Sequence, residues 1–143
     1  MPLKNSEVVP TWFERVWNKG DESAIDELLA ESAVVHGLVL PPGSAKTGPA
    51  SFKPFWRQFR SAFPDIRIVV LDCVTEGTNS VGHCRVTGTH TGEAFMTLAA
   101  TRKKMDFTGM ALARVEGGKI QEGWNSFDFL GMYQQLGMLH LLK

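Results

Sequence analysis

Apolar residues near the start of the chain recur at helical spacing. Val9, Trp12, Phe13, Val16 and Trp17 fall at i, i+3, i+4, i+7 and i+8, the stripe of a helix with one buried face. Asn5 or Ser6 can cap its start, Pro10 falls in or near its first turn, and Gly20 suits the left-handed residue that closes a helix. A short second helix is predicted at about Ser23–Ala30, with Asp21 as its cap. Ala33–Leu40 reads as a strand, broken by Pro41-Pro42-Gly43-Ser44. A third helix is predicted from about Ala50 to Phe63, with Pro54 in its first turn. Phe52, Phe55, Trp56, Phe59 and Phe63 form one face of it, and Lys53, Arg57 and Arg60 the other.

From there the period shortens to two. Ile66–Glu76, Ser80–His90, Lys104–Glu116 and Lys119–Phe127 read as strands separated by turn-rich breaks, and Gly117-Gly118 marks a tight hairpin. Asp128–Leu142 reads as a closing helix. Helices first and strands afterwards predict one α+β domain over residues 1–143, an antiparallel sheet with helices on one face. A sheet that curls around those helices leaves a space at its open end, into which the aromatic faces of the first and third helices point. The strands are apolar on both alternations: Ile66, Ile68, Val70 and Val74 on one, Val69, Leu71 and Cys73 on the other. The helices cover one side only, so the pattern predicts a homodimer through the outer side.

Composition narrows the function classes. Lys+Arg and Asp+Glu are 15 each, for a net charge of zero, which argues against a nucleic-acid or anionic-membrane partner. No apolar run approaches a membrane span and the first residues lack a signal-peptide core, so a cytoplasmic location is expected. Cys73 and Cys84 would sit directly opposite if residues 77–80 form a four-residue loop, but in that compartment both are expected as thiols that pack as small apolar groups. His36, His83, His90 and His140 show no metal-ligand spacing, and neither a G-x-S-x-G nucleophile motif nor a phosphate loop occurs.

Several short motifs follow one another in a telling order. They are Val16-Trp17-Asn18-Lys19-Gly20-Asp21 with Ala24-Ile25-Asp26-Glu27-Leu28-Leu29; Val34-Val35-His36-Gly37; Phe63-Pro64-Asp65; Gly88-Thr89-His90-Thr91-Gly92; Gly117-Gly118-Lys119-Ile120; and Trp124 with Asp128, followed by Gln134-Gln135-Leu136-Gly137. In this order and spacing the chain resembles the SnoaL-like polyketide cyclase (ester cyclase) family of the NTF2-like superfamily over nearly its whole length. The resemblance implies a cone-shaped α+β barrel, usually dimeric, with a pocket inside the cone for an apolar carbonyl compound. It implies intramolecular aldol ring closure without metal or organic cofactor. A carboxylate takes a proton from a carbon flanked by carbonyls, and the enolate attacks a nearby carbonyl. Such a base works best when shielded from water and helped by donors to the enolate oxygen. Ketosteroid isomerase is similar in fold and logic.

Asp128 matches the family's acid/base, and Trp124 four residues earlier suggests an aromatic wall around it. Asp128 suits a helix N-cap equally well. His90 is placed to support the base electrostatically, or else to bond backbone at a strand end. His36, Trp12, Trp56, Phe59 and Trp124 are candidates to line the pocket, with core packing the competing role for Trp56 and Phe59. The chain departs from the family pattern at Gly123, where His is frequent, and over residues 96–102. Isomerisation or hydrolysis of a related small molecule is the alternative to ring closure within the enzyme reading. The departures favour a changed substrate or a second reading, a small-molecule-binding domain without chemistry; a third reading is a dimerisation scaffold without a pocket.

Overall fold

The structure is a computed structural model and describes residues 2–139. Helix α1, Asn5–Trp12, runs on as a π-helical turn over Phe13–Asn18. The five residues of its apolar stripe are all buried. Its start is closed by Glu7, whose carboxylate accepts from the Lys4 N–H at 2.9 Å, while Asn5 donates instead to the Gly77 carbonyl. Gly20 takes the left-handed conformation (φ +64°) that ends it. Helix α2, Glu22–Leu28, is capped by Asp21, which accepts from the Ser23 N–H at 3.1 Å. Helix α3 spans Gly48–Ala62 and buries Phe52, Phe55, Trp56 and Phe59. It starts two residues earlier than its pattern predicts, so Pro49 occupies the first turn and Pro54 lies inside the helix.

Strands β1 (Leu29–His36), β2 (Arg67–Glu76), β3 (Asn79–Thr89), β4 (Lys104–Glu116) and β5 (Lys119–Phe127) form one sheet in the order β1-β5-β4-β3-β2. The last four make an antiparallel meander, but β1 lies parallel to β5. The sheet is therefore mixed, not purely antiparallel. β1 enters directly from α2, and α3 then carries the chain to the opposite edge. β1 also sits four residues earlier than expected. Gly37 (φ +84°) ends it against β5, where a Cβ would overlap the Asn125 carbonyl oxygen.

The helices pack on one side of this sheet over a single core. Asn18 joins the two layers. Its amide donates to the Ile68 carbonyl (2.8 Å) and accepts from the Ile68 N–H (2.7 Å), as a neighbouring strand would. That blunts part of the open edge of β2. Gly117 and Gly118 both have positive φ, the two-residue hairpin turn expected of the pair. The β2–β3 turn is also two residues long, Gly77-Thr78, with Glu76 opposite Asn79. Cys73 therefore pairs with Gly82 and Cys84 with Val70, so the two cysteines are not directly opposite. Burial pushes the Cys84 thiol up to about 12, so it is a neutral packing group at physiological pH. Helix α4, Phe129–Gln135, closes the cone with Met132 and Leu136 buried. The far end of the predicted closing helix, including His140, lies outside the described residues. No described helix is long and apolar enough to cross a membrane.

Candidate functional site

Between the helices and the inner face of the sheet lies an aromatic cavity of about 450 Å³, open water at its mouth included. Trp12, Phe13 and Trp17 reach it from the first helix, Phe52, Phe55 and Phe59 from α3, and Phe107, Asn125, Phe127 and Phe129 from β4, β5 and α4. The rings hold one another edge to face. Trp17 meets Phe52, Phe55 and Phe59 at centroid distances of 6.0, 6.3 and 6.1 Å and near-perpendicular planes, the arrangement aromatic quadrupoles favour. The space left between them is a slot with room for a few water molecules. It widens into a mouth of about 790 Å³, open water included, between Leu40-Pro41-Pro42 on one side and Phe95-Met96-Thr97 on the other. Phe55, Phe59 and Phe129 line both parts. On the inner side an annex of about 430 Å³, open water included, lies beside Ala111, Ala113 and Gly123. A Cβ on Gly123 would meet nothing closer than 4.0 Å, so the glycine at this position leaves room where a side chain would project.

Of the residues singled out from sequence, Trp12 and Phe59 line the cavity. Trp56 does not: it is buried behind the wall, and its Nε1 donates to the Val16 carbonyl at 2.8 Å. Together with Arg60, which donates to the Trp17 carbonyl at 2.9 Å, it satisfies carbonyls that the end of the first helix leaves open. Trp124 and His36 are paired neighbours on the opposite, outer face of the sheet, stacked at 5.5 Å. His36 Nε2 bonds Glu122 at 2.7 Å. The cause is a bulge. Ile120 faces inward opposite Val115, but Glu122 pairs with Arg114, so one extra residue shifts the alternation. Beyond it Gly123, Asn125 and Phe127 face the interior, while Trp124 and Ser126 face out.

Asp128 follows the outer set. It is exposed, caps α4 by accepting from the Gly131 N–H at 2.9 Å, and borders a shallow outer depression with His83, Met110 and Ser126. Trp124 therefore does not wall it from water. His90 is fully buried against Phe63, and the structure does not bring it to Asp128. Its Nδ1 accepts from the Thr101 N–H (3.3 Å), which leaves the proton on Nε2 to donate to the Glu93 carbonyl (3.1 Å). Both nitrogens thus tie down the loop that carries Phe95 and Met96 to the mouth. His90→Phe, which fits the aromatic surroundings but strands two backbone groups, should destabilise the fold by about 1–3 kcal/mol. Proteolysis should then cut first within residues 91–101. An unchanged melting temperature would mean that water replaces both bonds.

A helix-lined cone closed by a mixed sheet, with an aromatic cavity inside, places the chain among α+β proteins of the NTF2-like and ketosteroid isomerase-like kind. A ketosteroid isomerase-like protein of Catenulispora acidiphila DSM 44928, solved with trimethylamine, shares this fold (TM-score 0.72, 15% identity, covering 93% of this chain and 94% of that one). The chain belongs to the SnoaL-like polyketide cyclase family, whose model matches residues 7–136. Similar solved structures include IdmH, a candidate polyketide cyclase of Streptomyces antibioticus (28% identity, TM-score 0.78, 94% of this chain and 99% of that one). A candidate polyketide cyclase of Bacillus cereus ATCC 10987 is also similar (27% identity, TM-score 0.77, 94% and 81%). No curated protein matches the chain.

Proposed function

We propose that the chain binds a flat, largely apolar carbonyl compound of polyketide type in the aromatic cavity and closes a ring in it by intramolecular aldol reaction. The observation that carries this is the slot itself: rings from both helices and sheet, one polar side chain, and an open mouth. The mouth has room for a flat ring system whose edge the slot can take, and exclusion of water there keeps a reactive enolate from wasteful protonation. Asp128 is the proposed base on the family resemblance; its carboxylate borders the outer depression, so it must turn inward at the start of α4 to meet a ligand in the cavity. Its neighbours Phe127 and Phe129 both line the cavity. One carboxylate oxygen is held by the Gly131 N–H, and the other accepts no hydrogen bond among the described residues. The free oxygen takes a proton from a carbon between two carbonyls. The enolate carbon bonds to a second carbonyl carbon of the same molecule, and the alkoxide so formed takes the proton back from Asp128. Incubation with linear poly-β-ketone esters tests this. Accelerated appearance of a cyclic aldol product supports it, and unaltered decay of every ester over the buffer rate would overturn it.

One observation favours a second reading, binding without chemistry. Among the described residues, no carboxylate or imidazole lines the cavity or its mouth. Binding of an aromatic ligand with no turnover of any carbonyl analogue would select it.

The reading includes a dimer through the outer face of the sheet. Val69, Leu71, Val74, Met110, Leu112 and Trp124 are exposed there, Val74 at 63%. Six large apolar side chains exposed on one sheet face of a monomer are unusual, and a two-fold pairing of sheets would cover them. Light scattering at micromolar concentration should give twice the 15.8 kDa chain mass, and Leu112→Lys should return the monomer. A 15.8 kDa wild-type species would contradict it.

A further inference from the structure

We propose that Asn125 is the specificity-determining residue of the cavity, its free Oδ1 accepting a hydrogen bond from a ring hydroxyl, enolic or phenolic, of the bound ligand. The inference rests on the reading that the cavity takes a flat, largely apolar compound, and it deepens that reading by naming the group recognised.

Asn125 is the one polar side chain lining the main cavity among the described residues, and it also borders the annex beside Gly123. Its orientation is set by chemistry. The His36 carbonyl, 3.0 Å away, can only accept, so the NH₂ end of the amide must face it. That bond is available because β1 stops at Gly37, which allows the chain to bend over the Asn125 backbone. Oδ1 then has no hydrogen bond to any described residue. The amide is thus held by one end and presents an acceptor with the other. It stands where Trp12, Phe13 and Phe52 wall both the main cavity and the annex.

An apolar slot ranks ligands by size and flatness. It distinguishes poorly between rings that differ in one oxygen, unless a fixed polar partner is present. An oriented acceptor rewards a hydroxyl and leaves a plain hydrocarbon edge with an unpaired Oδ1. One neutral hydrogen bond of this kind corresponds to a preference of about tenfold.

The test uses naphthalene and 2-naphthol, two flat rings that differ only in the hydroxyl. Binding is followed by quenching of the tryptophans that line the cavity. The wild type should bind 2-naphthol about tenfold more tightly. Asn125→Leu should bring the ratio to about one while naphthalene affinity is retained or improved. The His36 carbonyl lies at the exposed end of β1, where water can replace the lost donor. If the variant does not fold, the wild type still decides: 2-methoxynaphthalene, which cannot donate a hydrogen bond to Oδ1, should bind it no more tightly than naphthalene. Equal affinities in the wild type, or a preference that persists in Asn125→Leu, would overturn the role of Asn125 and leave the cavity reading intact. Failure of both compounds to bind would overturn the cavity reading itself and Asn125's role with it.

Discussion

Asp128→Asn should lower ring-closing turnover by about 100-fold or more, the usual effect of deleting a positioned general base, while leaving the melting temperature nearly unchanged. The two halves of that expectation come from different atoms. Capping uses a side-chain oxygen that accepts from the Gly131 N–H, and Asn supplies one as well as Asp does. Proton abstraction uses a basic carboxylate oxygen, which Asn lacks. Ligand binding should also survive, because neither residue contributes to the lining of the cavity. Full turnover in the variant would leave Asp128 as a helix cap and return the search for a base to other carboxylates. A large loss of stability, by contrast, would show that its charge matters to the fold beyond the cap. Kinetics and melting measured on the same preparation separate these outcomes.

Where local periodicity and turn chemistry suffice, the chain can be read directly. The apolar stripe of the first helix, the Asp21 cap, the Phe face of α3 and the Gly-Gly hairpin all appear as their patterns predict. The four meander strands fall within one residue of their predicted ends. What fails is parity. A strand shows its two faces alternately only if no residue is inserted, and β2 and β5 each carry a register shift. In β5 the shift before Glu122 turns Trp124 outward and Asn125 inward. An aromatic that looks like a pocket wall becomes surface, and an ordinary amide becomes the cavity's polar residue. In β2 the shift after Val70 leaves Ile68 and Val70 facing the core but sends Val74 out, with Cys73 taking the inner side. Nothing in the local composition marks either insertion, because its only evidence is the pairing with the next strand.

The parallel β1–β5 pairing is hidden for a related reason. Strand direction at an edge depends on where α3 carries the chain, a property of the whole fold and not of any segment. His90 and Asp128 teach a different lesson. Each has a structural role that competes with the chemical one, and the structure fills both: His90 with two backbone bonds, Asp128 with a helix cap. The motif positions were legible in the sequence. Whether a side chain at such a position faces ligand, loop or water was not.

Phe59→Ala should be the most destabilising single truncation in the aromatic wall, at about 3–5 kcal/mol. The ring is buried and lies within 6.4 Å, centroid to centroid, of five others: Trp17, Phe55, Phe63, Phe95 and Phe129. These belong to the first helix, α3 and the stretch after it, the mouth loop, and α4, so removing Phe59 loosens four segments at once. Each partner is held by other rings as well, which limits how far the wall can collapse into the void, and incomplete collapse is what makes such truncations severe. For a chain of this size the loss corresponds to a fall in melting temperature on the order of 10–20 °C. It would also consume much of the stability typical of one domain, about 5–15 kcal/mol. Phe59 lines both the slot and its mouth, so the new void joins an existing apolar cavity. Benzene at millimolar concentration should therefore bind the variant more tightly than the wild type and raise its melting temperature by more. A loss below about 1 kcal/mol would mean that the surrounding rings close over the gap, and the rigid slot on which the proposed ring closure depends would have to be given up.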